Sequence, residues 1–266
     1  MADTMIAFLG CGNMGGALAR AAAQKTKNII LTSGSGATAA KLAVTLGVRY
    51  GTNTEAAAEA GMIFLGVKPQ IMPTLFDEIR DVLAARQDRF ILVSMAAGLT
   101  VADIRRLARA NYPIIRIMPN TPAAIGQGMI LYLGDGVTDA ETQDFLGLME
   151  AAGRFDEIAE KYMDIAGTVA GCTPAWVCQF IEALADGGVA CGLPRAKSIQ
   201  YAAQAVMGSA ALVLASDEHP GALKDAVCSP GGATIQGVRA LEKGAFRSSV
   251  MEAVIAAYEK TLSLGK

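Results

Sequence analysis

The sequence predicts an α/β protein, with a doubly wound sheet over residues 1–161 and an all-helical segment over residues 162–266. Three observations carry this. Short apolar runs alternate with alanine-rich helical stretches as far as about residue 160. The first run ends in Gly10-Cys11-Gly12-Asn13-Met14-Gly15, and beyond Lys161 the strand signals stop.

Met5 to Leu9 is a strand-length apolar run, and the glycine motif behind it opens a helix reaching about Gln24. In that setting Gly10 allows a tight turn, Gly12 lets a pyrophosphate approach the backbone, and Gly15 lets the helix pack on the strand. The pattern predicts a Rossmann-type dinucleotide site. Asn28 to Thr32 reads as the second strand, where a domain that prefers NAD usually carries an acid for the ribose hydroxyls. Here Thr32-Ser33-Gly34-Ser35-Gly36 follows, with no acidic residue between Asp3 and Glu55. Hydroxyls and open backbone N–H groups suit a 2′-phosphate, so NADP(H) is expected over NAD(H), although the nearest downstream cation is Lys41.

Gly47 to Tyr50 is a third short strand, and Asn53 starts the next helix. Met62 to Val67 is a continuous apolar run typical of a buried parallel strand, broken by Lys68-Pro69. Such strand ends bind ligands in α/β sheets, so Val67, Lys68 and Pro69 are candidates to line the cofactor. Phe90 to Ser94 repeats the pattern and ends in Met95-Ala96-Ala97-Gly98, small enough for a flat ring to lie against backbone. A helix capped by Thr100 and carrying Asp103 comes next. Ile114 to Met118, closed by Pro119-Asn120-Thr121-Pro122, and the runs Met129 to Leu133 and Arg154 to Ile158, with a helix from Asp139 to Ala152 between them, bring the count to six to eight strands.

The helical third reads as Met163 to Asp186, Pro194 to Ala215, and Ile235 to Leu264 in one or two pieces. Its apolar faces are too broad for isolated amphipathic helices, which predicts that another subunit covers them. Ser229-Pro230-Gly231-Gly232-Ala233-Thr234 interrupts it. Adjacent glycines let a ligand approach the backbone, and the helix behind them aims unpaired N–H groups at the loop. This is a candidate site for a small anion, flanked by the hydroxyls of Ser229 and Thr234.

Composition narrows the partners. A net charge of −2 from 23 basic and 25 acidic residues offers no basic face for nucleic acid, and no uninterrupted apolar run approaches a membrane span. The five cysteines stand singly and the start shows no export signal, so reduced thiols, a cytoplasmic location and no metal site are expected. The single histidine, His219, precedes Pro220-Gly221 and reads as a turn residue.

Taken together, the chain resembles the pyrroline-5-carboxylate reductase family nearly end to end. The resemblance rests on the glycine motif, Gly66-Val67-Lys68-Pro69, Met118-Pro119-Asn120-Thr121-Pro122, Ala185-Asp186-Gly187-Gly188 with Gly192-Leu193-Pro194-Arg195, and His219-Pro220-Gly221 leading through Leu223-Lys224-Asp225 to Ser229–Thr234. It implies a Rossmann domain, a helical dimerisation domain, dimers often gathered five to a ring, and NAD(P)H-dependent reduction of a cyclic imine to L-proline. By position, cofactor contacts fall on Gly10, Gly12, Asn13, Met14, Gly15, Ser33, Asn53, Val67, Lys68, Pro69, Ala96 and Ala97. Substrate contacts fall on Ser229, Gly231, Gly232, Ala233 and Thr234. Two departures stand out: Gly171-Cys172-Thr173-Pro174-Ala175, where members commonly start the dimer-forming helix with Gly-Ser-Gly-Pro-Ala, and Ala226, where many carry asparagine.

Hydride transfer to C=N needs a positioned nicotinamide, a handle for the carboxylate, and a hydrogen-bond donor at nitrogen. Backbone N–H groups of Ser229 to Gly232 supply the handle, and the Thr234 hydroxyl is the expected catalytic donor. A β-hydroxyacid dehydrogenase shares the layout but relies on a lysine early in its helical domain, and residues 162–194 contain no lysine or arginine. A cofactor-sensing regulator would bind the dinucleotide without consuming it.

Overall fold

The structure, a computed structural model, describes residues 4–263. One sheet is formed by β1 (Ile6–Leu9), β2 (Ile29–Thr32), β3 (Arg49–Tyr50), β4 (Met62–Leu65), β5 (Ile91–Ser94), β6 (Ile114–Met118), β7 (Gly128–Asp135) and β8 (Gly153–Glu157). Its strand order is β3-β2-β1-β4-β5-β6-β7-β8. The first six strands pair in parallel, and the reversal of order between β1 and β4 is the switch point of a Rossmann domain. β7 instead runs antiparallel to β6, then pairs in parallel with β8. The expected alternation of strand and helix fails there because only a short 3₁₀ turn, Thr121–Ile125, joins β6 to β7. A parallel return needs a crossover of a dozen or so residues.

Helices cover both faces of the sheet: α1 (Asn13–Ala22), α2 (Ala37–Leu46), α3 (Asn53–Glu59), α4 (Met72–Ala85), α5 (Val101–Ala108) and α6 (Asp139–Met149). On one face Phe8 and Phe64, partners across β1 and β4, stack at 4.3 Å, with Phe145 of α6 beside Phe64. On the other, Ala7, Ile63 and Leu65 pack with Phe76 and Ile79 of α4. Burial on both faces is why these strands are continuously apolar. Reciprocal capping boxes, Thr52 with Glu55, Thr100 with Asp103 and Thr138 with Glu141, start α3, α5 and α6.

Beyond β8 the chain is helical: α7 (Glu160–Ala190), α8 (Arg195–Ala215), α9 (Pro220–Ala226), α10 (Ala233–Lys243) and α11 (Phe246–Leu262). The long helix expected over Met163–Asp186 is extended at both ends, α9 was not anticipated, and Leu264 of the last expected helix lies outside the described residues. By length and composition α8 is long and apolar enough to cross a membrane, with a mean hydropathy of 1.3, although Ser198, Gln200, Gln204 and Ser209 interrupt its apolar residues. Its only charges, Arg195 and Lys197, sit in its first turn.

Two compact units divide the chain: Met1–Cys172 with Ala257–Lys266, and Thr173–Ala256. The first division falls inside α7, which continues through Pro174. The Gly171–Ala175 segment is therefore helix interior and not a helix start. Pro174 has no N–H to give the carbonyl of Ala170 one turn back. Asn120, 8% exposed, supplies the missing donor: its Nδ2 lies 3.0 Å from the Ala170 oxygen, while its Oδ1 accepts from the Met129 N–H at 3.0 Å. Asn120→Ala is expected to cost about 2–4 kcal/mol by orphaning both backbone groups. In a Pro174→Ala background, where the helix regains its own donor, the cost should fall by about 1–2 kcal/mol. Denaturant unfolding of the four proteins measures this, and an equal cost in both backgrounds would contradict it.

Arg116 is the other non-local tie. It lies at the centre of β6, 1% exposed, and its guanidinium reaches Glu160 at 3.1 Å and Asp164 at 2.8 Å on the first turns of α7. Glu160 also accepts from the Val101 N–H at 2.8 Å, so one carboxylate joins β6, α5 and α7.

Candidate active site

A cleft of about 870 Å³ opens at the carboxyl ends of β1 and β4, at the switch point of the sheet. Gly10 turns there with φ of +103°, and a Cβ on it would come within 2.8 Å of the Gly66 backbone. A Cβ on Gly15 would lie 2.2 Å from the Gly10 carbonyl oxygen, so this glycine sets how closely α1 packs on the loop. Gly12 faces open space and caps α1 with no side-chain hydrogen bond, which leaves the first N–H groups of the helix to a ligand. An open glycine, free amides and no acid in the first turn fit a dinucleotide pyrophosphate. Cys11, between the two glycines, is buried, and burial pushes its thiol up to about 12, leaving it an inert packing group.

The expected cofactor residues converge. Gly10, Gly12, Asn13, Met14, Ser33, Asn53, Val67, Lys68, Pro69 and Ala97 all line the cleft. Gly15 and Ala96 do not: both are buried behind it, Gly15 under the glycine turn and Ala96 in the apolar cluster beside α4. Ser33 has a second task, since its Oγ accepts from the Ala39 N–H at 3.1 Å and braces the start of α2. Lys68 is the only cation on the lining; Lys41 is not part of it.

Sequence reasoning missed one wall. Ile71, Thr74, Leu75 and Glu78 follow i, i+3, i+4, i+7 spacing, so α4 presents one face to the cleft. Glu78 accepts from Asn53 Nδ2 at 2.8 Å, and Asn53 Oδ1 accepts from the Thr32 hydroxyl. That spacing, read behind Lys68-Pro69, was the available signal.

The residues expected to hold substrate stand in the second unit. Gly231 takes φ of +72° with open space where a Cβ would be, and the Gly232 N–H donates to the Ser229 carbonyl at 3.0 Å. A Cβ on Gly232 would lie within 2.4 Å of Ser229 Oγ and 3.1 Å of the Ser229 carbonyl oxygen, so a side chain there would displace the Ser229 hydroxyl. Gly232 caps α10 without a side-chain bond, and Ala233 and Thr234 are its exposed first residues. Among the described residues nothing bonds the Thr234 hydroxyl. His219 caps α9 through Nδ1, which accepts from the Gly221 N–H at 3.0 Å, so its role is structural. Among the described residues no group of three or more His, Cys, Asp or Glu is placed to hold a metal.

Comparison with known proteins agrees with both halves. Residues 160–264 match the family model for pyrroline-5-carboxylate reductase dimerisation, and residues 5–98 match that for coenzyme F420-dependent NADP oxidoreductases. The pyrroline-5-carboxylate reductase of Escherichia coli (strain K12) is 42% identical over 99% of both chains, and that of a Synechocystis species 40% identical over 98% of both. The crystal structure of the Plasmodium falciparum enzyme with NADP bound covers 100% of both chains at 32% identity and a TM-score of 0.87. The Streptococcus pyogenes enzyme aligns at a TM-score of 0.88 and 29% identity over 98% of this chain and 99% of its own. With relatives at 40–42% identity over nearly its whole length, the chain belongs to the pyrroline-5-carboxylate reductase family.

Proposed function

We propose that this chain reduces 1-pyrroline-5-carboxylate to L-proline with NADPH, the last step of proline synthesis. The observation that carries this reading is the Ser229–Thr234 turn, where the open Gly231, uncapped helix N–H groups and an unengaged hydroxyl stand together. Residues 1–161 bind the cofactor, and residues 162–266 bind substrate and dimerise. Bound NADPH supplies the hydride that adds to the imine carbon. The amides of Ser229, Gly231 and Ala233 hold the substrate carboxylate, since Pro230 has no N–H and that of Gly232 donates to the Ser229 carbonyl, and the Thr234 hydroxyl donates to the ring nitrogen as that atom gains its proton. The hydroxyl-rich exit of β2 favours the 2′-phosphate, and the NADP in the Plasmodium relative supports this.

The chain assembles as a homo-oligomer. Tyr201, Met207 and Leu214 of α8 and Met251 of α11 are all more than half exposed, apolar area that suits a homodimer interface and, beyond it, five dimers in a ring. The enzyme acts in the cytoplasm. With NADPH deuterated at the transferred position, proline should carry one deuterium, on the ring carbon remote from the carboxylate. Cofactor bound but not consumed would leave a regulator instead.

A further inference from the structure

A Rossmann domain that prefers NAD places an acid at the end of β2, where it binds the ribose hydroxyls and repels a 2′-phosphate. β2 ends here in Thr32, and no acid follows it before Glu55. The fold nevertheless brings a carboxylate to the same place from another helix. Thr32 donates to Asn53, Asn53 donates to Glu78 at 2.8 Å, and all three line the cleft. Glu78 is the only acidic lining residue, and no Lys or Arg among the described residues pairs with it. No cation therefore stands within ion-pair distance of its carboxylate, which is exposed in the cleft that Ser33, Ser35 and Thr38 also line.

We infer that Glu78 is a specificity-determining residue: its carboxylate, held at the ribose end of the cleft through Asn53, weakens the binding of a 2′-phosphorylated cofactor and so limits the preference for NADP(H) over NAD(H). The inference rests on the reading of the cleft as a dinucleotide site. Glu78→Gln isolates the charge, because glutamine keeps an oxygen to accept from Asn53 Nδ2 while removing the negative charge. Glu78→Ala removes both.

Calorimetric titration of the full chain with NADP⁺ and with NAD⁺ tests this without turnover. For Glu78→Gln the ratio Kd(NAD⁺)/Kd(NADP⁺) should rise about three- to tenfold, the scale of charges facing each other across a solvated wall. The gain should shrink in about 1 M salt, where the Debye length falls to about 3 Å. The pair 2′,5′-ADP and 5′-AMP should show the same change of ratio, which places the effect at the phosphate. An unchanged or reduced ratio in Glu78→Gln overturns the inference. So does an equal weakening of both cofactors in Glu78→Ala with no change in Glu78→Gln, which would make Glu78 only a support for Asn53. The wild-type titrations judge the cofactor reading separately: tighter NAD⁺ binding there would reverse the NADP preference, whereas the change of ratio on substitution would still stand or fall by itself.

Discussion

Thr234→Ala is expected to lower kcat by about 10- to 1,000-fold, the range for losing one transition-state donor, with the Kd for NADP⁺ changed less than about twofold. Thr234 is the exposed second residue of α10, and its hydroxyl has no partner among the described residues, so no internal bond is lost on truncation. Alanine also favours helix over threonine by a few tenths of a kcal/mol, up to about 0.7, so the variant should fold. The cradle amides belong to the backbone and stay in place. Thr234→Ser, which keeps the hydroxyl, should recover most of the rate. Wild-type turnover in Thr234→Ala would remove the hydroxyl from the chemistry.

The second large effect concerns stability, and its sign depends on which side of an ion pair is removed. Arg116 is almost fully buried, whereas the side chains of Glu160 and Asp164 are 38% and 28% exposed. Substituting both acids as Glu160→Gln with Asp164→Asn leaves a guanidinium in the core without countercharge, at a cost of about 3–5 kcal/mol. Arg116→Met leaves two carboxylates that water can reach, and also removes the buried Nε that has no partner, so it should cost less, about 1–3 kcal/mol. For a chain of this size the double variant should melt about 6–20 °C below wild type. Adding Arg116→Met to the double variant should recover part of the loss. Thermal unfolding of the four proteins decides this, and Arg116→Met proving the costliest would contradict it.

How much was legible follows from the range of each determinant. β1, β2, β4, β5 and β6 could be read because burial on both faces makes each an apolar run, and glycine, serine or proline marks its exit. The direction of β7 could not be read, because local pattern does not encode strand polarity and the 3₁₀ turn before it resembles any polar loop. α7 begins three residues before its expected start because Glu160 looks like a solvent residue until Arg116, 44 positions earlier, comes beneath it. Pro174 looks like a helix start until Asn120 is seen to take over the Ala170 carbonyl. In the cleft, the glycines and the β2 exit were read as short motifs, while Glu78 arrives through a fold-dependent bond from Asn53.

The most direct test of the account is the initial rate of NADPH oxidation by the purified chain on adding 1-pyrroline-5-carboxylate, with NADH run in parallel. The account predicts saturable, substrate-dependent oxidation that is faster with NADPH at equal low concentration and produces L-proline. Cofactor binding with no 1-pyrroline-5-carboxylate-dependent oxidation of either nucleotide would contradict it.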